Sequence, residues 1–285
     1  MSVINTNIRA LASTNAMAAN ERAMQKTMQS LSTGSSINKA SDNAAGLSVR
    51  ENMTAQINGL NAAVRNANDA INMLQTADGS LNEVSDMMQR MRELGVLASN
   101  DTYSTAQKKS MDDEYQALSA EIDRISTNTQ WNKMNILTGS GGEVGLASAF
   151  TFQIGANAGQ VISVGISNQA ITSTASLTPQ FVALSGTGLT TGQVASAAVA
   201  KLDDALSTLN ANRSKIGAAV NRLEHAISNL TNVAQNATDS RSRVTDTDYS
   251  KATSDLAKQQ IIAQAATAIL AQANQQPQSV LSLLK

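Results

Sequence analysis

From Met53 to Leu74, apolar side chains recur by alternating steps of four and three: Met53, Ile57, Leu60, Val64, Ala67, Ile71 and Leu74. Ala77, Leu81, Val84, Met88 and Met91 continue the row after one short step. Such spacing puts a narrow stripe on one side of an α-helix, and a stripe of that width is covered by another helix rather than by a sheet. At 1.5 Å per residue, a helix over residues 48–99 is on the order of 75 Å long. A second row reads Met111, Tyr115, Leu118, Ile122 and Ile125. A third reads Val199, Leu202, Leu206, Leu209, Arg213, Ile216, Val220, Leu223, Ile227, Leu230 and Ala234. Arg213 is its one polar member and reads as a register-setting or snorkelling residue. Composition agrees: 42% of the 285 residues are hydrophobic but only 2% are aromatic. Ala, Leu, Ile, Val and 11 Met carry the apolar mass, which suits long helices with narrow seams.

Each end adds a helix of smaller residues. The N-terminal one shows Ile4, Ile8, Leu11, Met17, Met24, Met28 and Leu31 and stops at Thr33-Gly34. The C-terminal one steps by sevens through Leu256, Ala263 and Leu270 towards Leu284, with Ala252, Ala266, Ala273 and Val280 beside them. Pro277 is expected to kink or restart it. Ser41-Asp42 is expected to cap the long helix that carries the Met53 row. The middle of the chain is composed differently. Residues 139–192 hold ten of the 16 glycines, all three phenylalanines and one charged residue, Glu143. Within that stretch, Phe150, Phe152 and Ile154 alternate with small or polar residues, as do Ile162, Val164 and Ile166, with Gly155 to Gly159 between them. That pattern predicts a β-hairpin. Gln169 to Gly192 reads as a surface loop with one further short strand around Phe181 to Leu184. The fold class is therefore mainly α: a long helical coiled-coil rod with a small β-hairpin region.

The end helices set a physical problem. Their apolar area is small against the entropy of ordering about 30 residues, and intrahelical hydrogen bonds, exchanged with water, close only part of the gap. The ends are expected to be poorly ordered in a lone chain and to fold against copies of themselves. A helical bundle that closes within one chain is the competing reading.

Several function classes are excluded at this level. The formal net charge of −1 provides no surplus of cations for nucleic acid or an anionic membrane. Without cysteine there are no disulfides, thiolate metal sites or thiol nucleophiles. One histidine, His225, placed between Leu223 and Ile227, reads as a helix-flank residue and supplies neither a multi-histidine metal site nor a histidine-dependent triad. Asp246 and Asp248 read as helix-terminal carboxylates rather than acid–base or metal groups, and Asp112, Asp113 and Glu114 lack further ligands in register. No catalytic residue, metal or cofactor is expected. There is no run of 18 apolar residues, and Met1 to Ala10 lacks a basic and apolar leader.

Particular residues then go beyond periodicity. Ser2 to Ala12, Leu31 to Val49, Gln89 to Val96, Ser240 to Tyr249 and Leu270 to Leu284 occur in the order, and with much of the sequence, of bacterial flagellin, and Phe152 to Asn157 is similar too. The chain resembles that family over residues 1–138 and 193–285. The resemblance implies discontinuous domains built from paired N- and C-terminal segments. These are a filament-core domain of 1–44 and 245–285, a helical rod domain of 45–138 and 193–244, and a hairpin and surface loop at 139–192. It implies an extracellular subunit of the flagellar filament that polymerises with itself for swimming motility after export through a type III channel. This replaces the cytoplasmic location that the absent leader would suggest. The implied partners are hook-associated junction and cap proteins, an export chaperone and the vertebrate flagellin-sensing Toll-like receptor. A flagellin-like hook–filament junction protein is the alternative. Ile4, Ile8, Leu11, Met24, Met28, Leu31, Leu256, Ala263, Leu270, Ala273, Val280 and Leu284 are the expected self-assembly residues. Arg90, Leu94 and Glu114 fall where the family's motif meets the receptor, with Gly95 and Leu97 as departures beside them. Arg90 and Leu94 are expected at i, i+4 on one helix face, and Glu114 on the following helix, where an antiparallel return could bring it close. Gln29 to Arg50 matches the segment that plants perceive, but Ser30, Ser36 and Ser41 stand where the family carries cations.

Overall fold

The computed structural model describes residues 7–137, 149–165 and 192–282. In chain order the elements are α1 (Ile8–Thr33), α2 (Ala44–Ala98), α3 (Thr105–Asn128), β1 (Gln130–Trp131), β2 (Met134–Asn135), β3 (Ala149–Gln153), β4 (Val161–Gly165), α4 (Gly192–Thr245) and α5 (Tyr249–Ser282). Ile166, Phe181 to Leu184 and the rest of the expected surface loop up to residue 191 lie outside the described residues.

Local chemistry sets the helix ends. Asn7 caps α1, its side-chain oxygen accepting from the Ala10 N–H at 3.1 Å. α1 stops at Gly34, whose φ of 69° is left-handed backbone that favours glycine. Ser104 and Gln107 close a capping box on α3, and Asp248 caps α5 by accepting from the Ser250 and Lys251 N–H groups at 3.0 and 3.2 Å.

One expectation changes here and a second is narrowed. The cap of α2 is Asn43, which accepts from the Gly46 N–H at 2.9 Å, and not Ser41-Asp42. Asp42 is committed one turn earlier, where it pairs with Lys26 at 3.0 Å and accepts from the Lys39 and Asn38 N–H groups. The Lys26 ammonium and those two amides hold its carboxyl below the usual carboxylate range. At the other end, α5 continues through Pro277 to Ser282 as one helix and does not restart. Pro277 donates no hydrogen bond to the Ala273 carbonyl four residues earlier, and that carbonyl accepts from the Asn7 amide at 2.9 Å.

The expected hairpin is β3 paired antiparallel with β4, Phe150 opposite Val164 and Phe152 opposite Ile162. Ile162 and Val164 are buried and the two phenylalanines half-buried, so one face of the hairpin turns inward. A second hairpin, β1 with β2, was not legible in the sequence. Asn132 and Lys133 turn it with φ of 48° and 65°, the left-handed pair that suits the twist of two strands joined by two residues.

The chain forms two compact units, Met1–Ile57 with Gln235–Lys285, and Asn58–Ala234. In the second, α2 runs antiparallel to α4, as the Arg92–Asp203 pair at 2.6 Å and the Arg213–Asp78 pair at 2.9 Å fix. α3 also returns antiparallel to α2. Leu74, Leu81, Val84 and Met91 of α2 share an interior with Tyr115 and Ile122 of α3 and Leu202, Leu209 and Leu223 of α4. Ala195, Ala198, Ala205 and Ala219 flank the α4 row and let the helices approach closely. Gly95 belongs to the same device, because a Cβ there would meet the Val199 side chain at 2.8 Å. Arg213 keeps its place in the apolar row by directing its head to Asp78.

Tyr115 is fully buried, and its hydroxyl has no hydrogen-bond partner among the described residues. Removing that hydroxyl should therefore stabilise the unit. Tyr115→Phe is expected to gain about 1–3 kcal/mol in urea unfolding. Burial also pushes the phenol pKa up, with the Asp112 charge adding to it. The proton is thus held more tightly in the folded chain. That contribution is intact below the ordinary tyrosine range and is lost as pH rises from there towards the raised folded value, so the advantage of Tyr115→Phe should widen above about pH 10.

Candidate assembly surface

α1 and α5 lie side by side and antiparallel. The Asn7 amide donates to the Ala273 carbonyl at 2.9 Å, the Asn20 amide to the Gln259 carbonyl at 2.9 Å, and the Thr247 hydroxyl to the Ser30 carbonyl at 3.3 Å. At the joined end the Ser36 N–H donates to the Thr245 carbonyl at 2.7 Å and the Thr247 N–H to the Gly34 carbonyl at 3.0 Å. This pins the turn after α1 to the turn before α5.

The pair encloses little. No side chain of α1 is fully buried. Its half-buried stripe carries Ala10, Met17, Met24 and Leu31 in one row of sevens and Ser13, Asn20 and Thr27 in another. On α5 the stripe is Ala252, Leu256, Gln259, Ala263, Ala266, Leu270 and Ala273. Large apolar residues stand outside it: Ile8 is 61% exposed, Leu11 59%, Ile261 66% and Ile269 57%. Met28 and Ile262 are exposed as well.

The expected assembly residues therefore divide. Met24, Leu31, Leu256, Ala263, Leu270 and Ala273 line the pair within one chain, although their spacing alone suggests contact with copies. Ile8, Leu11 and Met28 face outward. Val280 lies within α5, its side chain outside the described set, and Ile4 and Leu284 are outside the described residues. Ile261, Ile262 and Ile269 escape a reading by spacing, because they stand off the row of sevens that draws attention to α5.

On the other unit the antiparallel return of α3 brings Arg90 to Glu114 at 2.9 Å, with Glu93 at 3.1 Å. The hydrogen bond to Glu114, then that to Glu93, raises the guanidinium's already high pKa, so this is a fixed charge cluster on an exposed face. Leu94 does not share that face. It is 2% exposed and packs in the interior with Met91 and Ala98. Four residues advance a helix by about 400°, so Leu94 sits roughly 40° round from Arg90 and crosses the edge into the core. Leu97 is exposed and Gly95 is buried against Val199.

His225 is exposed, and among the described residues no group of histidines and carboxylates could hold a metal ion. No described helix is long and apolar enough to cross a membrane.

Residues 4–141 match the bacterial flagellin N-terminal helical region, and residues 199–284 the bacterial flagellin C-terminal helical region. The chain belongs to the bacterial flagellin family. Flagellin of Halalkalibacterium halodurans is 40% identical over 283 residues, covering 99% of this chain and all of that one. Flagellin of Bacillus subtilis is 41% identical over 303 residues, with 99% of each chain covered. The flagellar filament 31.3 kDa core protein of Treponema maltophilum is 38% identical over 287 residues, covering 99% of this chain and all of the relative. A solved structure of a proposed flagellar hook-associated protein from Vibrio parahaemolyticus shares the fold, with a TM-score of 0.60 over 72% of this chain and all of that one at 12% identity.

In this flagellin the turn at Gly34 holds the ends of α1 and α4 to the start of α5. A Cβ on Gly34 would need left-handed backbone and would lie 3.1 Å from the Tyr249 hydroxyl. Gly34→Ala should cost about 1–2 kcal/mol, read as a lower urea midpoint for loss of helix at the chain ends.

Proposed function

We infer that this flagellin is the structural subunit of the extracellular bacterial flagellar filament, polymerising with itself to serve swimming motility, and that it catalyses no reaction. Membership of the family and full-length likeness to flagellins and filament core proteins support the role. The observation that carries the mechanism is the α1–α5 pair, which keeps Ile8, Leu11, Met28, Ile261, Ile262 and Ile269 in water. Exposed apolar area on two adjacent helices is a contact waiting for its other half. A contact between different patches of successive copies repeats without closing, and its product is a helical filament.

On this reading residues 1–44 and 245–285 form the filament core, 45–138 and 193–244 the supporting helices, and 139–192 the surface hairpin and loop. Hook-associated junction and cap proteins would meet the two ends of the polymer, and an export chaperone would cover the apolar end helices before assembly. The likeness at Gln89 to Val96 supports recognition by the vertebrate flagellin-sensing receptor, through the exposed Arg90 and Glu114, with Leu94 fixing the helix from beneath.

Purified chain should grow long filaments, seen by electron microscopy; only short caps or no polymer would favour the junction role. Ile261→Asp with Ile269→Asp should abolish filaments while leaving helical content and the unfolding of Asn58–Ala234 unchanged, because a buried unpaired charge is costly only once the copies pack. In limited proteolysis of the unassembled chain, roughly the first and last 40 residues should be trimmed before the rest, since little burial protects them. Uniform resistance along the chain would contradict the dependence of the ends on partners.

A further inference from the structure

No side chain of α1 is fully buried, and three of the 11 methionines stand on it: Met17, Met24 and Met28. Met17 and Met24 are half-buried in the stripe that faces α5, and Met28 is 54% exposed on the outer face. The Asn7–Ala273 and Asn20–Gln259 contacts set the antiparallel register, which puts Met17 level with Ala263 and Met24 level with Leu256. α5 builds its own apolar surface from leucine, isoleucine and alanine and has no methionine.

The other described methionines are placed differently. Met73, Met88 and Met91 are buried in the unit Asn58–Ala234, and Met87 and Met111 pack against its interior. Met53 is half-buried on α2. Met134, in β2, is the one other exposed sulfur among the described residues. The chain has no cysteine, so no thiol competes for an oxidant.

Methionine differs from leucine of similar volume chiefly in its thioether, which hydroperoxides oxidise to a sulfoxide where they can reach it. The sulfur lone pair attacks one peroxide oxygen and the O–O bond breaks as the S–O bond forms. The other oxygen takes up the hydroperoxide proton and leaves as water or an alcohol. Sulfur is oxidised by two electrons and the peroxide is reduced by two. The product is polar, with an acceptor oxygen that water satisfies. At a dry contact that oxygen is costly, because an acceptor buried without a donor loses its hydration. Ala263 and Leu256 present no side-chain donor to Met17 and Met24, and Ile8 and Leu11, the other large outward residues of α1, are apolar like Met28.

We propose that Met17, Met24 and Met28 are an oxidation-sensitive modification site that gates assembly. Hydroperoxides convert these thioethers to sulfoxides in the unassembled chain, and sulfoxide there bars the subunit from the polymer. Packing among copies shields the same sulfurs once assembly is complete. The gate rests on the filament role proposed above, whereas the pattern of oxidation is a property of the single chain.

The unassembled full-length chain, and filaments grown from it, are treated with dilute hydrogen peroxide, and sulfoxide at each methionine is read by peptide mass spectrometry. In the unassembled chain Met17, Met24 and Met28 should oxidise at least about tenfold faster than Met73, Met88 and Met91, and at least about tenfold faster than they do in filaments. Chains oxidised in this way and freed of peroxide should lose filament growth, seen by electron microscopy, with an unchanged urea midpoint for Asn58–Ala234. The two methionine sulfoxide reductases, one for each epimer, should restore growth. A chain with Met17→Leu, Met24→Leu and Met28→Leu should keep growing after peroxide, whereas Met134→Leu should leave the sensitivity unchanged. Normal growth from chains that carry all three sulfoxides overturns the proposal. So does oxidation of the three at equal rates in filaments and unassembled chain, a triple leucine variant that peroxide still stops, or growth that reduction does not restore. If untreated chain forms no polymer, the filament role fails, and the gate fails with it whatever the oxidation pattern.

Discussion

The packing of α2 against α4, with α3 laid against them, is the contact on which the unit Asn58–Ala234 depends. It is the place where heptad rows from separated parts of the chain reach full burial, from Leu74 to Met91 on one side and from Leu202 to Leu223 on the other. Within the unit Asn58–Ala234, the contacts that join residues far apart in sequence follow from that return. The ion pairs Arg92–Asp203 and Arg213–Asp78 are consequences of the alignment, and each is too exposed to have imposed it. The hairpin of β3 and β4 finds cover only because this interior accepts Ile162 and Val164.

The unit of Met1–Ile57 with Gln235–Lys285 uses the same antiparallel geometry with different material. Where α2 and α4 bring leucine and valine to the seam, α1 and α5 dilute Met17, Met24, Leu31, Leu256 and Leu270 with alanine, serine, asparagine and glutamine. Small residues give a close approach but little area, and polar ones give direction instead of adhesion. The pair is thereby specified without being well stabilised. That combination suits a surface whose apolar residues are reserved for another copy, and it accounts for the isolated N-cap at Asn7 reaching over to Ala273.

The sequence made the long helices and the β3–β4 hairpin legible, since alternation by three and four or by two is a direct image of which residues are covered. It was less informative where several residues could do one job. Ser41, Asp42 and Asn43 are three adjacent cap formers, and only the geometry at Gly46 selects Asn43. Two-residue strands are too short to show a period, so β1 and β2 escaped notice despite the Asn132-Lys133 turn. Leu94 shows the angular limit of spacing: i and i+4 share a face only in part, and a core edge can fall between them. On α1, attention to apolar residues alone hid the polar row of Ser13, Asn20 and Thr27, which lies inside the pair.

A helix with no fully buried side chain owes its persistence to whatever surrounds it. For α1 that makes order a matter of mass action, because each neighbour that covers Ile8 or Leu11 adds free energy that the single molecule lacks. Structure at the extremities then rises with the local density of subunits.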